Sequence, residues 1–226
     1  LTVGEEVAFK SLTALANLTN QKYDLTIWYD TCGRGVDLDF FHRLMRYTDD
    51  VVLLTKNHGT SGALGYGMLY TGGDHFMVVL ADTVVRPGYL ERFSVAFERF
   101  EKLACAGSFR NVNTNGVDFL VNDKEFMPDG IQMFSREAIN DVGGICPQFK
   151  GMGMENREWH DRAAAKGWNL VTCAGIMDEV GTTHDGRNMN PNADAEIKES
   201  VKTYLPIKDG KYQDFTWWKY LEKGRN

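Results

Sequence analysis

Apolar residues recur at helical spacing from the start of the chain. Between positions 4 and 18, Val7, Leu12, Leu15 and Leu18 share one face with Ser11, which predicts a helix. The run LTIWY at 25–29 reads as a buried strand ending at Asp30. Asp37 is placed to cap a short helix that buries Leu38, Phe41, Leu44 and Met45. A second strand at 51–54 runs into the loop Lys56-Asn57-His58-Gly59. The following helix, at 61–70, carries Gly62, Ala63, Gly65 and Gly67. Each glycine costs a helix about 1 kcal/mol relative to alanine, so this one predicts close packing or close approach by a ligand.

The run FMVVL at 76–80 is apolar enough to be buried on both faces, as a central parallel strand is. Beyond the turn Arg86-Pro87-Gly88, a strong amphipathic pattern spans 89–103, with Leu90, Phe93, Phe97, Phe100 and Leu103 inward. Then come a strand at 104–109, an Asn-rich loop, and strands at 131–134 and 169–173 around a helix at 156–166. From Asn188 the chain is polar, with a helix near 194–205 and the aromatic group Phe215-Thr216-Trp217-Trp218.

Strands alternating with helices imply an α/β fold with a mostly parallel sheet. Ligands of such sheets bind beyond the carboxyl ends of strands, where Asp30, Asn57 and Asp82 all fall. The strand that opens a nucleotide-binding unit of this kind is missing from the pattern. Either Leu1–Val3 is its stump, or the chain starts downstream of it. No repeat or interdomain linker interrupts the pattern, and 1–190 reads as the domain, with 191–226 as a helical and aromatic extension.

Composition narrows the classes. A length of 226 residues, 43% of them hydrophobic, suits one domain with a full core. The net charge of -6 argues against a nucleic-acid surface, and no apolar run is long enough to span a bilayer. No signal peptide is expected ahead of the first helix. Cys32, Cys105, Cys146 and Cys173 form no CxxC pair, which disfavours a zinc site and makes a reducing cytoplasm the expected compartment. The sequon at Asn17 falls inside the first helix, and no Walker A, HExxH or GxSxG string occurs.

Asp82 stands where an apolar strand gives way to a turn and a helix, Leu80-Ala81-Asp82-Thr83-Val84-Val85-Arg86-Pro87-Gly88. A carboxylate there is placed to ligate a hard cation that holds a pyrophosphate; taken alone it also reads as a turn or N-cap aspartate. The segment resembles glycosyltransferase family 2, in which a strand ends in Asp-x-Asp or Asn-x-Asp before Thr-Val-Val-x-Pro-Gly. Leu80 stands here at the first of those positions. In the family's order, Trp28-Tyr29-Asp30 resembles the strand end that contacts the nucleotide base, although Thr31-Cys32-Gly33 replaces the usual Asp-Gly-Ser. Asn57-His58-Gly59 resembles its Asn-x-Gly segment. Downstream, 129–138 leads to Val142-Gly143-Gly144, similar to the family's acceptor-side strand and helix. Gly151-Met152-Gly153-Met154-Glu155-Asn156-Arg157-Glu158, with Arg162 and Gly167-Trp168 beyond, matches its Gly-x-Gly-x-Glu-Asp-x-Asp pattern. The Glu-Asn-x-Glu variant is similar to that of the polypeptide N-acetylgalactosaminyltransferases.

The resemblance implies a GT-A fold and a metal-dependent glycosyltransferase that takes its sugar from a nucleotide-diphosphate donor. Asp30, Asn57, Gly59, Asp82 and Arg187 would bind the donor, and Asp82 and His184 would hold Mn²⁺ or Mg²⁺. Asn156 and Trp168 fall on the acceptor side. An inverting transferase needs a carboxylate to take the acceptor proton. The family's usual base is an aspartate at the position of Asn156, and an amide is no base at neutral pH. Glu155 or Glu158 must then serve, or the enzyme retains configuration. Without the resemblance, Glu155 also reads as an acid complementing a helix dipole. Two rivals remain at this level. A nucleotidyltransferase would need a glycine- and lysine-rich phosphate loop, and none is seen. A non-catalytic GT-A-like binding module fits Leu80 and Asn156. Donor base, sugar and acceptor are not specified.

Overall fold

The first helical pattern forms α1 (Glu5–Asn17), which turns Ala8, Ser11, Ala14 and Leu15 inward. This computed structural model describes residues 5–19, 21–31, 35–55, 59–108, 118–122, 130–146, 149, 154–179 and 193–206. Residues 1–4, where the missing opening strand was sought, lie outside them. Strands β1 (Ile27–Asp30) and β2 (Val51–Leu54) pair in parallel, Ile27 beside Val51 and Asp30 beside Leu54. Between them runs α2 (Leu38–Leu44), capped as expected: the Asp37 carboxylate accepts the Phe40 amide at 3.0 Å. Its buried residues are Phe40 and Leu44, whereas Leu38 is 64% and Met45 40% exposed. The expected inward set is corrected accordingly. Phe40 and Leu44 sit one turn apart on the covered face, and Leu38, two residues before Phe40, points to the opposite side.

The small-residue pattern forms α3 (Gly59–Tyr70). A Cβ on Gly67 would stand 2.9 Å from the Phe76 ring, so that glycine sets how closely α3 lies on β3 (His75–Val79). The carboxyl end of α3 is held by Arg136, whose guanidinium donates to the carbonyls of Met68 at 2.5 Å and Thr71 at 2.7 Å.

The larger sheet orders its strands β3, β7 (Ile131–Ser135), β5 (Leu103–Ser108), β8 (Asn169–Cys173) and β6 (Phe119–Val121). β3 is thus an edge strand of this sheet, antiparallel to β7, and not the central parallel strand expected. Its apolarity has another cause: Phe76 packs with Leu64 and Met68 of α3, while Met77 and Val79 pack on the cluster that holds Ala14 and Leu15 of α1. An apolar run reports burial on both faces and says nothing of strand direction. The pairings are mixed. β5·β8 and β1·β2 are parallel, whereas β3·β7, β5·β7 and β6·β8 are antiparallel. Because β7 reverses between them, β3, β5 and β8 all point the same way.

Helices cover both faces of the sheet. Helix α4 (Tyr89–Arg99) buries Tyr89, Leu90, Phe93 and Ala96; the expected inward Leu103 belongs instead to β5. On the other face α5 (Arg136–Val142) and α6 (Glu155–Ala165) bury Ala138, Ile139, Trp159 and Ala163 against Phe134 and Leu170. A two-stranded ribbon of β4 (Thr83–Val85) and β9 (Met177–Glu179) stands at one end. Helix α7 (Ala193–Pro206) closes the described chain, and its Tyr204 joins a buried cluster with Cys146 and Phe149. No helix among the described residues is long and apolar enough to cross a membrane.

Candidate active site

The common direction of β3, β5 and β8 gives the sheet one carboxyl rim. On a single rung, Val79 faces Ile131, and Ile131 faces Ser108. Asp82 follows β3 at this rim, half-buried, in a turn closed by the Thr83 amide donating to the Leu80 carbonyl at 3.0 Å. Two further contacts fix the turn. The Leu80 amide donates to the Gly130 carbonyl at 2.7 Å, and Ser11 of α1 donates its hydroxyl to the Thr83 carbonyl at 2.5 Å.

Gly130 is required here. Its φ is +80°, and a Cβ would stand 2.5 Å from Thr83 Oγ1 and 2.8 Å from Met177 Cε. The positive φ and the lack of space both exclude other residues. Sequence reading assigned Gly130 no role, although the Asp-Gly step at the head of a strand carried the signal.

Asp30 ends β1, half-buried. Thr31, just beyond it, donates both its amide (3.0 Å) and its hydroxyl (3.2 Å) to the Leu54 carbonyl, tying the carboxyl ends of β1 and β2 together. From Leu54 the chain runs toward Asn57, which lies outside the described residues. Gly59, also expected at the donor site, is the first residue of α3 and has φ +66°.

His184 and Arg187 lie outside the described residues. The described chain reaches Glu179, in the ribbon, before this segment. Thr83, next to Asp82, pairs with Glu179, and the segment bearing both residues begins one position later. Among the described residues no group of three His, Cys, Asp or Glu side chains converges as a metal site. The Asp82 carboxylate is a hard oxygen donor of the kind Mn²⁺ and Mg²⁺ take.

Glu155 and Glu158 occupy the first turn of α6. Three residues after its end the chain enters β8, so α6 runs antiparallel to that strand. Eleven residues at 1.5 Å each carry Glu155 roughly 16 Å from the amino end of β8 toward the rim. Both glutamates are buried, at 5% and 1% exposure, but in different company. Glu158 takes a two-pronged ion pair from Arg162, at 2.5 and 3.0 Å. Burial is the main cause that pushes its carboxyl pKa up, opposed by Arg162 and by the Cys146 backbone. The same guanidinium donates to the carbonyls of Val142 at 2.5 Å and Gly144 at 2.7 Å, and Trp159 donates to the Gly143 carbonyl at 2.7 Å. Glu158 thereby helps pin the Gly-Gly turn to α6. Its i,i+4 spacing to Arg162 was legible in the sequence.

Met154 precedes Glu155 in a left-handed conformation, φ +65°, unusual for a residue with a side chain. Asn156 Oδ1 has no hydrogen-bond partner among the described residues. Trp168, expected on the acceptor side, lies at the other end of α6. It packs in the core with Leu170, and its indole donates to Asp141 at 2.8 Å. That placement corrects the expectation, since the helix length separates Trp168 from Glu155. His160 lies in α6 and is wholly buried, and burial pushes its pKa down to about 3, with Arg157 adding.

A groove of about 380 Å³ opens elsewhere, between α3 and the face of β1 and β2, lined by Thr26, Trp28, Asp50, Val52, Tyr66 and Tyr70 among others. Its lining runs from Thr26 and Asp50, which precede their strands, to Leu54 at the carboxyl end of β2.

No family model and no curated protein matches the sequence. Among solved structures, the chain is similar to the mannosyltransferase PcManGT from Pyrobaculum calidifontis in complex with GDP-Man and Mn²⁺. That match has a TM-score of 0.61 and 13% identity, over 88% of this chain and 61% of the other. GalNAc-T7 with UDP, GalNAc and Mn²⁺ matches with TM-score 0.59 and 13% identity, over 75% of this chain and 39% of that one. Glucosyl-3-phosphoglycerate synthase from Mycobacterium tuberculosis, with Mg²⁺ and uridine diphosphate, matches at 0.59 and 15%, over 88% and 76%. The chain spans less than two thirds of the first two. At these identities the likeness establishes the fold: the α/β architecture of GT-A glycosyltransferases.

Proposed function

We propose that the chain carries the catalytic site of a metal-dependent, family 2-like GT-A glycosyltransferase, moving a sugar from a nucleotide-diphosphate donor to an acceptor hydroxyl. The observation that carries this reading is the shared rim. In a fold held in common with nucleotide-sugar transferases, the strand pairings put Asp82 just beyond the carboxyl end of β3, and the short connection from α6 to β8 together with the length of α6 supports placing Glu155 toward the same edge. Asp30, Asn57 and Gly59 place the nucleotide, and Arg187 closes on the diphosphate. Asp82 and His184 hold the Mn²⁺ or Mg²⁺, which when bound neutralises the diphosphate and stabilises it as a leaving group.

Glu155 is the carboxylate we assign to the acceptor proton, because Glu158 is committed to Arg162. Asn156 cannot take a proton, but its Oδ1, buried and without a hydrogen-bond partner among the described residues, has the chemistry to accept a hydrogen bond from the acceptor or the sugar. If Glu155 proves dispensable for turnover, a retaining reaction is the alternative. The domain proper is 1–190, and we place it in the cytoplasm.

The test joins binding to turnover. Nucleoside diphosphates should raise the melting temperature only with Mn²⁺ or Mg²⁺ present, and donor hydrolysis should need the same metal. Asp82→Ala should lower that hydrolysis about 100-fold or more while the fold persists. Full activity in Asp82→Ala sinks the assignment. One structural fact favours a second reading, a non-catalytic binding module: with Asn156 at the usual base position, Glu158 is sealed in an ion pair. Metal-dependent binding without any hydrolysis would select it.

A further inference from the structure

The C-terminal helix touches the molecule where the acceptor motif begins. Tyr204 of α7 is only 7% exposed, and its ring shares a buried cluster with Cys146 and Phe149, against which Met154 packs. Its hydroxyl donates to Asp161 Oδ2, while Asp161 Oδ1 accepts from Arg157 Nε at 3.1 Å. Arg157 lies two residues from Glu155, in the same first turn of α6. One tyrosine thus reaches the motif by two routes, through its ring in the cluster on which Met154 packs and through its hydroxyl by way of Asp161 and Arg157.

Met154 makes this grip consequential. A left-handed backbone at a residue with a side chain persists only where its surroundings hold it. From within α6, the Glu158 amide donates to the Met154 carbonyl at 2.8 Å. From outside, the apolar support is Phe149, Cys146 and Tyr204. The Arg162 network secures the helix on the flank toward Val142 and Gly144.

We propose that Tyr204 is a positioning residue for Glu155, so that α7 forms part of the acceptor-side machinery and is no mere appendage. Its catalytic consequence rests on the glycosyltransferase reading above; its structural consequence does not. The test therefore reads both. Hydrogen exchange is followed in the full chain across 154–158, with β5 and β8 as internal reference, for wild type, Tyr204→Phe and Tyr204→Ala.

Tyr204→Ala should speed exchange at 154–158 about 10-fold or more and leave β5 and β8 unchanged. Tyr204→Phe, which keeps the ring, should fall between it and wild type. In metal-supported donor hydrolysis, kcat should drop in the same order with donor KM unchanged. Unaltered exchange at 154–158 overturns the proposal. So does acceleration spread evenly over β5 and β8, which would make Tyr204 a general stabiliser, and so does local acceleration with kcat unchanged. If the wild type turns over no donor at all, the glycosyltransferase reading fails, and with it the catalytic half; the exchange data still decide whether Tyr204 places Met154 and Glu155.

Discussion

At the end proposed to bind the donor, Asp30 ends a strand of four residues and Asp82 follows one of five; both stand half-buried, and hydrogen bonds of their neighbours fix the backbone around them. At the end proposed to face the acceptor, Glu158, Arg162, Trp159 and the 142–144 carbonyls form a network in which Glu158 and Trp159 are buried and the Arg162 side chain is 16% exposed. The contrast follows from what each end would have to do. Acids that meet a metal and a diphosphate must remain accessible to solvent and ligand, so the turn that carries them has to be fixed. A helix end that presents a single carboxylate can be fixed by committing its neighbours to one another. The first arrangement puts its cost into turn geometry, the second into buried charge.

The largest expected effect tests the buried end. Arg162→Ala strands the Glu158 carboxylate at 1% exposure and should destabilise the fold by about 3–5 kcal/mol in urea unfolding. Arg92 and Asp118 make an equally close pair, at 2.6 Å, but their side chains are 36% and 69% exposed. Arg92→Ala should therefore cost no more than about 1 kcal/mol. Equal losses from the two variants would erase the distinction drawn between the ends.

Gly130→Ala probes the open end. The new Cβ meets Thr83 Oγ1 at 2.5 Å in a backbone with φ +80°, and a loss of about 1–3 kcal/mol is expected. Adding Thr83→Ala should return the share due to Oγ1 and leave roughly 1 kcal/mol for the backbone together with what the Met177 contact costs. A double-mutant cycle on unfolding free energies separates the two. Zero coupling would mean that the Asp82 turn is not wedged against β7.

The two ends also differed in how far the sequence revealed them. Asp37 was legible as a cap because an N-cap is a local event, complete within four residues. Asp82 was legible as a strand-end acid for a similar reason. The edge position of β3 was not, because burial by α1 and α3 leaves the same apolar run as burial between strands. Trp168 was misplaced because closeness in sequence to the motif concealed a whole helix length. Tyr204 gave no signal at all: its partners, Asp161 and Phe149, are 43 and 55 positions away. What sequence could not supply was tertiary distance.

Acid should reach the acceptor end through His160. Its folded pKa, about 3, lies below its ordinary value of 6.5, so between those values the unfolded chain binds a proton that the folded chain refuses. Stability should consequently fall as pH drops below 6.5, approaching about 1.4 kcal/mol per pH unit. His75, also depressed by burial, adds in the same direction, whereas the raised Glu158 works against it just above pH 4.5. Unfolding curves between pH 7 and 5 give the slope, and His160→Gln should flatten it. An unchanged slope in that variant would remove His160 as the cause.

The smallest effect belongs to Asp37, in the donor half but remote from the Arg162 network. Asp37→Ala removes one exposed carboxylate that accepts the Phe40 amide, which should cost about 1 kcal/mol. Asp37→Asn keeps an acceptor at the same place and should restore most of it. The loss should stay local. Phe40 and Leu44 hold α2 against Tyr29 in their own cluster, so a frayed first turn loosens the cover over β1 without reaching the core that contains Phe134 and Trp159. Hydrogen exchange should accordingly quicken at 38–41 and stay constant in β5 and α6. Propagation into α6 would show that the two ends share one cooperative unit, and the contrast between them would then be one of chemistry alone.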